Sequence, residues 1–173
     1  MARRGGPLPV LLLALVAGGA AAQPAGGPCN DPLHRQFDFW VGEWEVTSPD
    51  GSVAGSNVIE PILDGCVLQE TWSGAGGSAG SSFNFYNPQR GVWQQFWVWR
   101  NGVPLELEGA FADGRMTLEG ESTGQDGSPV RNRVVWTDNP DGTVRQQWEV
   151  SRDGGATWTT AFDGLYRRRA DPE

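Results

Sequence analysis

Residues 103–122 read VPLELEGAFADGRMTLEGES. Leu105 and Leu107 alternate with Glu106 and Glu108, and beyond Asp113-Gly114, Met116 and Leu118 are set against Arg115, Glu119 and Glu121. Successive side chains of an extended chain point to opposite faces, so this pattern describes two strands with one apolar and one charged face. The Asp-Gly pair between them supplies the positive φ that a tight hairpin needs. The stretch is therefore an antiparallel hairpin, and the rest of the chain repeats its pattern.

Outward from this hairpin, candidate strands fall at 43–48, 55–63, 66–73, 80–87, 91–100, 103–111, 114–122, 128–137, 142–151 and 156–166. The runs are rich in Trp, Val, Phe and Thr, and Gly-, Asn-, Asp- or Pro-bearing turns such as Asp64-Gly65, Asn87-Pro88, Asn101-Gly102 and Asp126-Gly127 separate most of them. Val130, Val134 and Trp136 should face inward against Arg131 and Arg133; Val144, Trp148 and Val150 should do so against Arg145, Gln147 and Glu149. In 91–100 both faces are apolar: Trp93, Gln95, Trp97 and Trp99 share one, and Val92, Gln94, Phe96 and Val98 the other. That strand is expected to be covered on both sides, with the N-terminal segment as the outer cover. A short helix is expected over 30–41, capped by Asn30 or Asp31, with Pro32 in its first turn. No other segment is long enough for a helical crossover. The expected fold is all-β: a single antiparallel up-and-down β-barrel of about ten strands with a short N-terminal helix, because closure removes the sheet edges.

Composition narrows the chemistry. The chain has 173 residues and a net charge of −8; its 13 basic residues are all Arg, with one His, two Cys, 9 Trp and 25 Gly. Without Lys there is no Schiff-base chemistry, and one His with two Cys cannot build a His-rich or four-thiolate metal site. An acidic chain with no basic patch is a poor nucleic-acid binder. Residues 1–22 have the form of a secretory signal peptide: Arg3 and Arg4, then an apolar run, then small residues, with cleavage expected after Ala22. The apolar run is short for a membrane span, and no span is expected after cleavage. The Lys-free, Ala-, Gly- and Arg-rich composition suggests a GC-rich bacterial genome, and the compartment is expected to be the periplasm or the exterior. There, an even cysteine count reads as a disulfide, and the only pairing within the chain is Cys29–Cys66. The expected organisation is a leader (1–22), an N-terminal extension (23–36) with the helix beginning near residue 30, and a barrel domain (37–169).

Phe37 to Val46 reads FDFWVGEWEV, with Gly42-x-Trp44 opening the first strand. This resembles the Gly-x-Trp signature of lipocalins and related calycin barrels, in which the Trp plugs one barrel end beneath a basic residue from the last strand. The resemblance implies that role for Trp44, with Arg167 of Gly164-Leu165-Tyr166-Arg167 as the partner. The wider text, including DGCVLQETW, SSFNFYNP, VRQQWEVSRDGGATW and FDGLY, is similar to an uncharacterised family of secreted bacterial proteins with a lipocalin-like barrel. The similarity spans the mature chain and implies the fold, but carries over no catalytic residue. The sole His34 precedes the first strand, unlike the wall His of haem-binding nitrobindins, and the Arg-x-Tyr pair of fatty-acid-binding proteins is absent. Separately, Ser151-x-Asp153-x-Gly155-x-Thr157-Trp158 resembles the Asp-box hairpin of sialidase-type propellers. A propeller needs at least four blades, so here it reads as one hairpin between the last two strands.

Polar residues on otherwise apolar faces must find partners when buried, which makes them candidates for orienting a ligand. Gln95 lies between Trp93 and Trp97; Gln146 shares a face with Trp148, and Asn132 with Trp136. Glu70, Asn84 and Tyr86 join them from the motifs E-T-W and S-F-N-F-Y, although Phe83 and Phe85 oppose Asn84 and Tyr86. The expected ligand-binding set is Glu70, Asn84, Tyr86, Gln95, Trp97, Asn132, Trp136, Gln146 and Trp148. No carboxylate pair stands out for glycosidase chemistry. Arg133 and Arg145 are read as outward partners of Glu119 or Glu149, and Ser151 as part of the Asp-box hairpin. The expectation is a non-catalytic binding protein for a small, largely apolar or aromatic ligand, without cofactor or metal, as a monomer or weak dimer. An extracellular carbohydrate-binding or interaction module with Trp platforms, and a carboxylate-dependent hydrolase, are the alternatives.

Overall fold

A computed structural model describes Met1 and residues 27–169; the leader expected over 1–22 lies, Met1 apart, outside the described residues. Ten strands follow in order: β1 (Gly42–Thr47), β2 (Val53–Ile62), β3 (Val67–Gly74), β4 (Ala79–Asn87), β5 (Val92–Trp99), β6 (Pro104–Ala112), β7 (Arg115–Thr123), β8 (Pro129–Asp138), β9 (Val144–Ser151) and β10 (Thr159–Arg168). Each pairs antiparallel with the next, and β10 returns to β1, so the sheet closes into an up-and-down barrel. Among the described residues the only helical elements are 3-10 turns.

The alternation read from 103–122 decides which side chains enter the core. Leu105, Leu107, Met116 and Leu118 are buried, while Glu106, Glu108 and Arg115 are exposed. Val130, Val134, Trp136 and Val144 join them inside. The outward charges pair across strands: Arg133 with Glu149 at 2.8 Å, Arg131 with Glu119 at 3.2 Å and Arg145 with Asp163 at 2.6 Å.

Three expectations need correction. The segment expected to form a helix over 30–41 is a succession of turns that ends in one 3-10 turn, Asp38–Trp40. It is tied by Cys29–Cys66 at one side and by the start of β1 at the other, and it buries its aromatics rather than completing helical turns. Secondly, this segment does not cover the outer face of β5, where Phe96 is 41% exposed. Its side chains turn into one end of the barrel. Phe37 and Trp40 are fully buried and stacked 4.9 Å apart, and Phe37 meets the rings of Trp93 and Trp136 edge-on at 5.6 and 5.2 Å. Burying this aromatic plug removes a large apolar surface from water. Thirdly, Arg168 rather than Arg167 lies over Trp44, with its guanidinium 4.4 Å from the ring centroid. Trp44 and Arg168 are direct register partners, and Arg167 sits one residue out of phase, on the outer face, where it donates to Thr47 Oγ1.

The disulfide joins Cys29 to Cys66 in the β2–β3 connection, at the plugged end. The Asp-box hairpin lies between β9 and β10. Ser151 Oγ donates to Asp153 Oδ1 at 2.7 Å, and Thr157 donates to both Asp153 oxygens at 2.9 and 2.6 Å. These bonds from Thr157 and Ser151 hold the Asp153 carboxyl far below the usual carboxylate range.

Candidate functional site

The barrel end opposite the plug is open. A cavity of about 370 Å³ enters there between β3, β5, β9 and β10. Its aromatic walls follow from strand alternation: Trp72 on β3, Trp97 and Trp99 on β5, Trp148 on β9 and Phe162 on β10. Trp72 and Phe162 form one edge-to-face pair with centroids 5.8 Å apart. Trp99 bridges Trp97 at 4.9 Å and Trp148 at 6.0 Å on the other wall. Two glycines make room for these rings. A Cβ on Gly80 would collide with the Trp97 indole, and one on Gly164 would lie 2.6 Å from the tip of Phe162.

Glu70, Gln95, Gln146 and Tyr166, with Ser48 and Ser78, supply the polar part of the lining. Glu70 is buried and joins a network in the barrel interior. Asn57 Nδ2 donates to Glu70 Oε1 at 2.7 Å, and Ser82 Oγ donates to Oε2 at 2.6 Å. Asn84 Nδ2 donates to Ser82 Oγ at 2.8 Å, and Gln95 Nε2 donates to Asn84 Oδ1 at 2.8 Å. Register explains the chain of contacts, because Glu70 stands opposite Ser82 and Asn84 opposite Gln95. The Tyr166 hydroxyl donates to Gln146 Oε1 and accepts from Asn57 Nδ2 at 3.3 Å. Burial pushes the Glu70 carboxyl up to about 7, against the opposing hydrogen bonds from Ser82 and Asn57. Burial and then the nearby Glu70 charge push the Tyr166 phenol well above its usual range. The Trp97 indole N–H, at the cavity wall, is buried without a hydrogen-bond partner.

Glu70, Gln95, Trp97, Gln146 and Trp148 thus line one cavity. Four other residues of the expected set lie elsewhere. Asn84 is fully buried behind the lining and holds Gln95. Asn132 accepts from Trp148 Nε1 at 3.1 Å and so positions that ring. Trp136 is fully buried against the plug, within 5.3 Å of Trp40. Tyr86 is half-buried at the same end, where it meets the His34 ring at 5.2 Å. His34 itself bonds Asp31 at 2.6 Å, away from the cavity.

Sequence reasoning missed Trp72, Trp99, Phe162, Tyr166 and Asn57. The signal for Phe162 and Tyr166 was present: counting back by twos from Tyr166 gives Gly164 and Phe162 on one face. Glu70 is the one carboxyl in the lining, so the cavity holds no pair of carboxyls to flank a scissile bond. Among the described residues no group of three or more His, Cys, Asp or Glu side chains could hold a metal ion. No protein-family model and no curated protein matches the chain.

Proposed function

We propose that this barrel is a non-catalytic carrier or sensor of a small organic ligand with an apolar or aromatic body, bound in the open-end cavity. The observation that carries this reading is the lining itself: four Trp and one Phe around about 370 Å³, with a few convergent polar groups at Glu70, Gln95, Gln146 and the Tyr166 hydroxyl. Apolar walls with sparse, fixed polar groups are the usual makeup of small-molecule sites. The polar groups are held by their own hydrogen bonds, which favours binding by limiting the ordering cost. None of the nine Trp is exposed, so enclosure describes them better than a surface platform does. The disulfide is compatible with an extracytoplasmic setting, and among the described residues no helix is long and apolar enough to cross a membrane. We place the protein in the periplasm or outside the cell on that basis and on the form of residues 1–22.

Titration with the neutral aromatic dye N-phenyl-1-naphthylamine tests the reading. Saturable 1:1 dye enhancement is expected in the wild type, with loss in Ala54→Trp, which fills the cavity mouth, at unchanged far-UV circular dichroism. Equal dye binding in both proteins would place the dye elsewhere. No dye binding, together with an empty protein in native mass spectrometry after purification from its source, would overturn the reading.

A further inference from the structure

Glu70 is the one buried side chain among the described residues that carries a formal charge. Its two hydrogen-bond donors, Asn57 and Ser82, are both neutral, and no Arg lines the cavity. When ionised it therefore has no counterion from the protein. The same cavity is lined by indole rings: Trp72 on one wall, and Trp97, Trp99 and Trp148 on the other. The face of an indole carries negative potential and attracts a cation, more strongly when water is excluded. An anion would meet the Glu70 carboxylate and find only neutral donors, such as the unpartnered Trp97 N–H, and no cationic side chain to balance its charge. The net charge of −8 draws cations toward the molecule as a whole.

We propose that the cavity selects an organic cation, an ammonium whose charged nitrogen sits against Glu70 while its apolar body lies among Trp72, Trp97, Trp99 and Trp148. This deepens the carrier reading and rests on it. The cation supplies the missing counterion, and the aromatic walls serve both its charge and its hydrocarbon part. Of the lining residues only Glu70 and Tyr166 are titratable, and Tyr166 stays a neutral phenol. Binding therefore favours the ionised form of Glu70. Affinity should rise as pH increases through about 7, where the empty-state carboxyl loses its proton, and binding near neutral pH should release a proton.

Three probes that share one aromatic body test the assignment: 2-phenylethylammonium, 2-phenylethanol and phenylacetate, titrated by tryptophan fluorescence at about pH 8, above the raised Glu70 value. The cation is expected to bind at least about tenfold tighter than the alcohol, and the anion more weakly than either. Glu70→Gln keeps the side-chain shape and removes the charge, and it should lower the cation-to-alcohol affinity ratio several-fold, whatever the alcohol's own affinity becomes. Trp97→Phe, a milder change with a weaker π-face, should reduce cation binding several-fold. The assignment falls if the alcohol or the anion binds as well as the cation, or if Glu70→Gln leaves the cation-to-alcohol ratio as it was. If none of the three binds but N-phenyl-1-naphthylamine does, the cation assignment falls and the carrier reading stands. If no organic probe binds, the cation assignment falls, and the carrier reading falls with it when native mass spectrometry also finds the protein empty.

Discussion

The guanidinium of Arg168 lies over the indole of Trp44, 4.4 Å from its centroid, and donates to the Val41 carbonyl at 3.0 Å. It thereby ties the last strand to the residue that precedes the first. Trp44 Nε1 donates in turn to the Trp40 carbonyl at 2.9 Å, so one ring connects the plug, β1 and β10. Gly42 completes the arrangement: its φ of 140° disfavours any residue with a Cβ, and a Cβ there would collide with Arg168 Nη1.

Two substitutions separate these contributions. Arg168→Ala removes an exposed cation–π contact together with the hydrogen bond to the Val41 carbonyl and should cost about 1 kcal/mol. Gly42→Ala adds backbone strain of about 1–3 kcal/mol and displaces Arg168 as well. Thermal melts should therefore rank wild type above Arg168→Ala above Gly42→Ala. Arg167→Ala, on the outer face, should melt close to wild type. A larger loss from Arg167 than from Arg168 would contradict the assigned contact.

Reduction should loosen the plugged end. Cys29 and Cys66 are 37 residues apart, and constraining a loop of that size in the unfolded chain stabilises by about 4 kcal/mol. Cys29→Ser/Cys66→Ser, or wild type with a reductant, should lower the denaturant midpoint accordingly. The plug hydrogens should exchange faster than those of β7 and β8, which lie away from the bridge. No shift on reduction would show that the native bond adds little.

Glu70 should make the empty protein less stable as pH rises. Its carboxyl goes from an ordinary 4.5 in the unfolded chain to about 7 in the fold, so between these values the folded state holds a proton that the unfolded state has lost. Stability due to this group is present below about pH 4.5, declines across the window and is gone above about 7, a loss on the order of 3 kcal/mol. Glu70→Gln should flatten the stability–pH profile between those limits. Parallel profiles for the two proteins would mean that the carboxyl is not held in its neutral form.

Gly80 should be intolerant of a side chain. A Cβ there would also stand 2.7 Å from the Val98 carbonyl oxygen, so Gly80→Ala must push Trp97 or spread β4 from β5. Overpacking of this kind costs about 1–3 kcal/mol. Displaced inward, Trp97 would narrow the cavity, so dye affinity should fall together with the melting temperature. A variant that melts normally and binds normally would show that the wall can give at this point.

Most of the architecture was legible because strand periodicity and turn chemistry are local. Asp113-Gly114 and the flanking Leu–Glu alternation sufficed for the β6–β7 hairpin, and the same logic placed all ten strands to within a few residues of their observed limits. What was not legible depends on which polar face turns inward. In β4 the aromatic residues Phe83 and Phe85 point outward, Phe83 being 48% exposed, while Ser82 and Asn84 are buried. Hydrophobicity alone assigns that strand backwards. The register partners Glu70 and Gln95 draw Ser82 and Asn84 inside, and cross-strand pairing cannot be read from one strand. The plug was missed for a related reason: 30–41 carries helix-start signals, but its conformation is decided by the aromatic pocket that Trp93, Trp136 and Trp44 present to it.

The plug also gives the molecule a direction. Residue 27 lies beside Asp64, in the β2–β3 connection, and the Arg169 N–H donates to the Glu43 carbonyl at 2.9 Å, so the described chain enters and leaves the barrel at the sealed end. The cavity mouth is a strand's length away, about 20–30 Å at ~3.3 Å per residue. Anything attached directly at residue 27 or residue 169, whether a fusion partner, a fluorophore or a solid support, would be joined behind the barrel, on the side away from the entrance. The protein is in that respect already oriented like a cup on its base, and an array of tethered copies would present their openings outward to the same solution.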